Sequence, residues 1–204
     1  VNFKNPKVVY DAVDRLFRYV KSGNTKEIRS LVDLDEMARY EVFRTIFGKS
    51  HDAAGDNQRL IYSLTDGKFR AVARSESEIR PIKLRGGSFA HSVNFYNGRP
   101  ILLFVRLNQI PEYRELKYRY LYKFVDNYSK TRKQLQSIIL ANRDILLYDN
   151  SHYFPIPVRE KVMIENLDVI DQNVKTIRKT LESSRIYINI RQYPSRLEFE
   201  IIPD

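Results

Sequence analysis

Asp33-Leu34-Asp35-Glu36-Met37-Ala38-Arg39-Tyr40, running on to Phe47 and then into Gly48-Lys49-Ser50-His51-Asp52-Ala53-Ala54-Gly55-Asp56-Asn57, is the stretch on which the fold turns. Asp33 and Glu36 have the spacing of a capping box, in which a short side chain accepts the amide three residues on. Leu34, Ala38, Val42 and Ile46 lie along one stripe at helical spacing, so a helix is expected from Asp33 to about Phe47, closed by Gly48. The connection after it gathers two acids, an amide, an imidazole and two glycines. Rigid elements that carry such a loop are the usual setting of binding and catalytic residues.

Downstream of the loop, Gln58 to Leu64 and Lys68 to Arg74 flank Thr65-Asp66-Gly67, which predicts a hairpin over 58–74. From Ser75 to Pro100 the periodicity is lost. Pro81, Gly86-Gly87, Asn97-Gly98 and Pro100 predict a long irregular segment, of the length seen in functional lids. Upstream, Val9, Ala12, Val13, Leu16, Phe17 and Val20 predict a helix from Pro6 to about Lys21. Asn5 is placed to cap it, and Ser22-Gly23 to end it. A shorter helix follows from Thr25, with Asn24 and Glu27 as a second capping pair.

Helical character returns at Ile101, and Pro111 opens a helix rich in Tyr113, Tyr118, Tyr120, Tyr122 and Phe124. Tyrosines alternating with cations suit a stacking surface for single-stranded nucleic acid, but amphipathic side chains covering the edge of a core are the favoured reading. A helix from about Lys130 to Leu147 is expected to bury Leu135, Ile138, Ile139, Ile145 and Leu146. After Pro155 and Pro157 a long helix runs to about Leu181. Its Met163, Leu167, Ile170, Val174, Ile177 and Leu181 alternate four and three apart, a seam expected to pack on the preceding helix. Arg185 to Arg191 and Arg196 to Ile202 alternate as two strands around Tyr193-Pro194-Ser195. The expected fold is mainly α with small β elements (α+β): a helical body over 1–183, then a β tail, or the start of a following β domain, over 184–204.

Composition excludes several chemistries. With 204 residues and 43% hydrophobic content the chain can bury a real core. It has no cysteine, which removes disulfides, thiolate metal sites and cysteine nucleophiles. His51, His91 and His152 have no spacing that puts two on one helix face, which argues against a histidine zinc site. The net charge of +10 suits acidic or phosphorylated partners. Cations are interleaved with acids, as in Arg114-Glu115-Leu116-Lys117, so nucleic acid is disfavoured as a partner. No apolar run approaches the roughly 18 residues of a membrane span, and the start at Val1 reads as that of a piece of a longer protein.

Asp52 and Asn57 are five residues apart ahead of a predicted hairpin. In protein-kinase catalytic loops an Asp takes the proton of the attacking hydroxyl and an Asn five residues later binds magnesium, because one tight loop must serve both acceptor and metal. An acid just beyond a following hairpin completes such a site. The same Asx pair also suits plain loop stabilisation through bonds to backbone amides.

The run Asp33 to Tyr40, Phe47-Gly48, His51-Asp52, Gly55-Asp56-Asn57-Gln58-Arg59-Leu60-Ile61-Tyr62 and Gly67-Lys68-Phe69 resembles the spore-coat protein H (CotH) kinase family. Pro100-Ile101-Leu102-Leu103-Phe104 and Asn108 to Tyr120 are similar to its downstream helices, so the resemblance covers roughly Pro6 to Asn127. It implies a protein-kinase-like C-lobe, ATP with magnesium in the intact protein, and phosphorylation of Ser or Thr on coat or secreted proteins. It further implies a secreted, cell-surface or spore-coat location, with Asp52 catalytic and Asn57 a metal ligand. The family's Trp-Asp-x-Asp segment is here Ala73-Arg74-Ser75-Glu76-Ser77-Glu78, leaving Glu76 or Glu78 to supply the second metal ligand. No Gly-rich strand-turn-strand precedes the loop, and the nucleotide-binding lobe is expected elsewhere in the intact protein or lost. That departure supports an alternative, a non-catalytic, pseudokinase-like surface or adhesion module.

Overall fold

Two side-chain caps set the first half of the chain. Asn24 Oδ1 accepts the Glu27 amide at 3.3 Å and Asp33 Oδ1 accepts the Glu36 amide at 3.1 Å, each satisfying a donor that the first helical turn leaves orphaned. They start helices α2 (Thr25–Leu31) and α3 (Leu34–Ile46), after α1 (Pro6–Ser22). Gly23 turns the chain between α1 and α2 at φ 76°, a left-handed conformation that glycine adopts without steric cost. A side chain there would also meet the Arg106 guanidinium at 3.1 Å. The computed structural model describes residues 6–47, 59–72, 79, 81–82, 101–143, 156–182, 187–193 and 196–202.

The predicted hairpin forms with shorter strands, β1 (Leu60–Ser63) and β2 (Lys68–Ala71), paired antiparallel from Leu60 opposite Ala71 to Ser63 opposite Lys68. Its turn spans Leu64 to Gly67, with Gly67 at φ 68°. The hairpin docks through Phe69, which is buried, bridges Val32 and accepts the Asp33 amide on its carbonyl at 3.0 Å. Beyond the long connection come α4 (Leu102–Leu107), α5 (Pro111–Asp126), α6 (Tyr128–Ala141) and α7 (Ile156–Glu182). Tyr187–Tyr193 (β3) and Arg196–Ile202 (β4) then pair as a second antiparallel hairpin, so the protein is mostly helical with small antiparallel sheets.

The described core has two parts. Ala12, Leu16, Ile28, Leu31, Met37, Ala38, Phe69, Leu103, Phe104 and Leu107 form one, where α1, α2, α4, β2 and the first half of α3 meet. Val42 and Ile46 of α3, Leu121 and Val125 of α5, and Ile170, Val174, Ile177 and Leu181 of α7 form the other. Helices α3 and α5 run through both, which makes them the spine of the fold.

Two burial expectations fail. The α7 seam packs on α3 and α5, not on the preceding helix, which meets α7 through its first turns: Tyr128 donates to Asp171, and Arg132 Nε lies 3.1 Å from both of that residue's carboxylate oxygens. Consequently α6 has no fully buried residue, and Ile138 and Leu140 are exposed. Leu135 and Ile139 are half-buried, and Ile145 and Leu146 lie outside the described residues. An apolar stripe is buried only if a neighbour is available, and α7 has already committed its apolar face.

Candidate functional site

Asp52, Asn57, Glu76 and Glu78 lie outside the described residues, as do His51, His91 and His152 and most of the segment from Ser75 to Pro100. What the structure describes is the frame that carries them. Asn57 stands two residues before Arg59, and Glu76 four residues after Val72. The Val72 amide donates to the Arg59 carbonyl at 3.1 Å, extending the hairpin ladder by one bond. The chain therefore enters β1 and leaves β2 at one end of the hairpin.

The opposite ends of the two segments also share an anchor. Helix α3 ends at Ile46, six residues before Asp52, and its carbonyl accepts Asn173 Nδ2 at 2.9 Å. The Ile82 amide, six residues after Glu76, donates to Asn173 Oδ1 at 2.7 Å. Ile79 and Ile82 pack against the core formed by α3, α5 and α7. The described residues on either side of Asp52–Asn57 and of Glu76 in sequence are thus linked in two places, Arg59 to Val72 at the end of the hairpin and Ile46 to Ile82 through Asn173.

A polar cluster is sealed among α3, α4 and α5. Lys117 Nζ sits 2.9 Å from Glu41 Oε1 and 3.0 Å from Asn108 Oδ1, with the Lys117 and Glu41 side chains 1% and 0% exposed. Tyr113 donates to Glu41 Oε2 at 2.6 Å, and Asn108 Nδ2 reaches both carboxylate oxygens at 3.1 and 3.2 Å. Asn108 Nδ2 also donates to the Phe104 carbonyl at 2.8 Å. A buried ion pair needs such extra bonds, because mutual attraction alone does not offset desolvation. The cluster ties α3 to α4 and α5. Next to it, the buried Arg44 guanidinium lies 5.5 Å from the Phe104 ring centroid and 5.7 Å from that of Tyr40, within cation–π range.

Sequence reasoning missed this cluster, although a signal was present. Glu41 falls on the Leu34–Ala38–Thr45 stripe of α3, and Lys117 falls four residues from both buried Tyr113 and buried Leu121. A charge at a core position of a helical stripe implies a buried partner.

The α5 tyrosines largely find partners within the protein. Tyr120 donates to Asp35 and accepts Arg39 Nε at 3.2 Å, and Tyr122 donates to the Leu181 carbonyl at 3.3 Å. Burial raises the Tyr118 hydroxyl above its ordinary range, with the Glu41 charge adding to it. Burial first, and then the bond to Asp171, raise Tyr128. At the hairpin turn the Asp66 carboxyl is held down at about 2 by bonds from the Ser63 hydroxyl and Arg70. These side chains act as core edge and as braces between elements.

Among the described residues, no group of three or more His, Asp or Glu side chains is placed to hold a metal ion, and no helix is long and apolar enough to cross a membrane. No family model, curated protein or solved structure matches the chain.

Proposed function

We propose that the protein is a CotH-like, protein-kinase-like C-lobe that transfers the γ-phosphoryl group of ATP to Ser or Thr of a coat or secreted protein. The observation that carries this reading is the shared frame. Two hydrogen-bonded anchors, Val72 on Arg59 and Asn173 between Ile46 and Ile82, bound both the segment with Asp52 and Asn57 and the segment with Glu76. A phosphotransfer site needs a base and metal ligands from separate stretches brought to one place, and common anchors favour that.

In this reading Asp52 accepts the hydroxyl proton of the Ser or Thr substrate, and Asn57 and Glu76 hold magnesium, with Glu78 next in sequence. Carboxylate and amide oxygens are the hard donors that magnesium prefers, so the donor set fits the ion. Bound with ATP, magnesium supplies neutralisation of the charge on the phosphate oxygens. The net charge of +10 favours approach of ATP and acidic protein segments.

The test is phosphate transfer from radiolabelled ATP by the intact protein, with Asp52→Ala as the control. Loss of about a hundredfold or more in rate is expected, the usual scale of a general base. An unchanged rate in the variant sinks the assignment of Asp52.

One sequence feature favours a second reading, a non-catalytic surface or adhesion module. Ala73-Arg74-Ser75-Glu76-Ser77-Glu78 puts Arg74 beside the acids and replaces both aspartates of the family segment. Calorimetry with Mg-ATP separates the two: the kinase reading expects binding by the intact protein, and the binding-module reading expects none.

A further inference from the structure

Helix α1 carries two aromatic rings on one outer side. Tyr10 and Phe17 are 71% and 72% exposed, and their separation of two helical turns brings them onto one line. The inner side of the same helix is committed to the core: Ala12 and Leu16 are buried, and Val13, Tyr19 and Val20 pack partly against them. At about 100° per residue Phe17 lies just outside that buried arc. Val13 and Val20 lie between the arc and the rings, so Tyr10, Val13, Phe17 and Val20 alternate three and four apart, the spacing of a two-helix seam. Exposed apolar residues scattered singly need no partner. Four in register on one helix form a strip of the shape that a second helix covers.

The charges beside the strip indicate which helix that is. Asp14 and Lys21, both exposed, flank the rings on the side away from the core. When two copies of one helix pack antiparallel about a two-fold axis, the same flank of each faces the other. Aligning Asp14 with Lys21 of a second copy puts the axis midway between positions 17 and 18, within about 1 Å of Phe17 along the helix. Symmetry then makes the same ion pair a second time, on the other side of the axis. The two Phe17 rings meet at the centre, with Val13 and Val20 of both copies around them. Opposite charges set evenly about an aromatic ring are self-complementary, which is what an isologous contact requires.

We infer that α1 is a self-association face, on which a second copy of this chain packs its own α1 antiparallel, with Phe17 on Phe17 at the axis and Asp14 paired with Lys21 on each side. The inference is independent of the phosphotransfer reading. One pair of helices makes a small interface, so a weak dimer is expected, with a dissociation constant of about 100 µM.

The experiment is sedimentation velocity of the intact protein from about 5 to 500 µM, a range over which mass action shifts such a dimer from mostly apart to mostly paired. Phe17→Glu alters an exposed position, leaves the core intact, and should weaken association about a hundredfold by removing the central rings and setting two carboxylates at the axis. Val8→Glu is the control: Val8 is 44% exposed on the opposite side of α1, and its change should leave association as it is. Asp14→Lys and Lys21→Asp should each weaken self-association about tenfold, because each turns two attractive contacts into repulsive ones. Mixed in equal amounts, these two variants should associate as tightly as wild type, since one then presents only cations on that flank and the other only anions.

A wild-type protein that stays monomeric throughout overturns the inference and leaves the strip to an unlike partner or to another segment of the intact protein. Association that Val8→Glu weakens as much as Phe17→Glu overturns it too, because the face is then the wrong one. A mixture of the charge variants no tighter than either alone denies the antiparallel register and overturns it as well.

Discussion

Lys117 Nζ meets Glu41 Oε1 at 2.9 Å across 76 residues of sequence, with both side chains closed off from water. Breaking such a pair from one side strands a charge. Lys117→Met takes this cation from the buried Glu41 carboxylate and should cost about 3–5 kcal/mol in urea unfolding. Glu41→Gln/Lys117→Met removes the buried carboxylate charge as well and should recover part of that loss. A double variant no more stable than Lys117→Met would show that the carboxylate is not the source of the penalty.

The contrast between this pair and the helix caps explains what was legible in the sequence. Asn24 with Glu27 and Asp33 with Glu36 are local signals, each read within four residues, and both form. Glu41 and Lys117 look like solvent-facing charges until their places on the stripes are counted. The α7 seam, Leu167 to Leu181, is buried as its spacing implies, but its partners are α3 and α5. Periodicity says which face is buried and is silent about the neighbour. The same silence explains why Ile138 of α6 is 59% exposed where burial was expected. Of the candidate site, Asp52 and Asn57 stand out by residue type and spacing, and Glu76 only through the resemblance to the CotH family. Asn173, which bonds Ile46 and Ile82, gave no local sign, because those residues lie 127 and 91 positions away.

Phe69 fastens the hairpin to the helical body. It is buried, tilts against Tyr62 with ring centroids 4.8 Å apart, and bonds Asp33 through its carbonyl. Phe69→Ala should cost about 3–5 kcal/mol, the range for deleting a buried aromatic ring. Amide exchange should rise first at Val72, whose bond to Arg59 closes the end of the hairpin. Protection at Val72 equal to wild type would mean that the hairpin is held elsewhere.

The turn of the same hairpin carries a pH signature. Bonds from Ser63 and Arg70 depress Asp66 from an ordinary 3.8 to about 2. A depressed carboxyl stabilises the fold above its unfolded value and loses that contribution as pH falls through the folded one. The contribution should therefore be complete above about pH 4 and fade toward pH 2. Asp66→Asn should flatten this part of the stability profile. An Asp66 midpoint near 3.8 in an NMR titration would refute the assignment.

Asp33 joins three structures at one position, and its two charged or polar roles can be separated. Its side chain caps α3 through the Glu36 amide, its backbone amide bonds Phe69, and its Oδ2 lies 3.4 Å from Arg70 Nη2 with both side chains partly exposed. Asp33→Asn retains a capping oxygen and forfeits the ion pair. Pairs with solvent access contribute about 0–1 kcal/mol, and Arg70 keeps Asp66 as its other partner, so this change should be nearly neutral. Asp33→Ala forfeits the cap as well and should cost about 1–2 kcal/mol. The backbone bond to Phe69 survives in both variants, so the hairpin should stay docked. If Asp33→Asn proves as damaging as Asp33→Ala, the ion pair with Arg70 outweighs the cap, and the start of α3 is set by charge instead of by the amide bond.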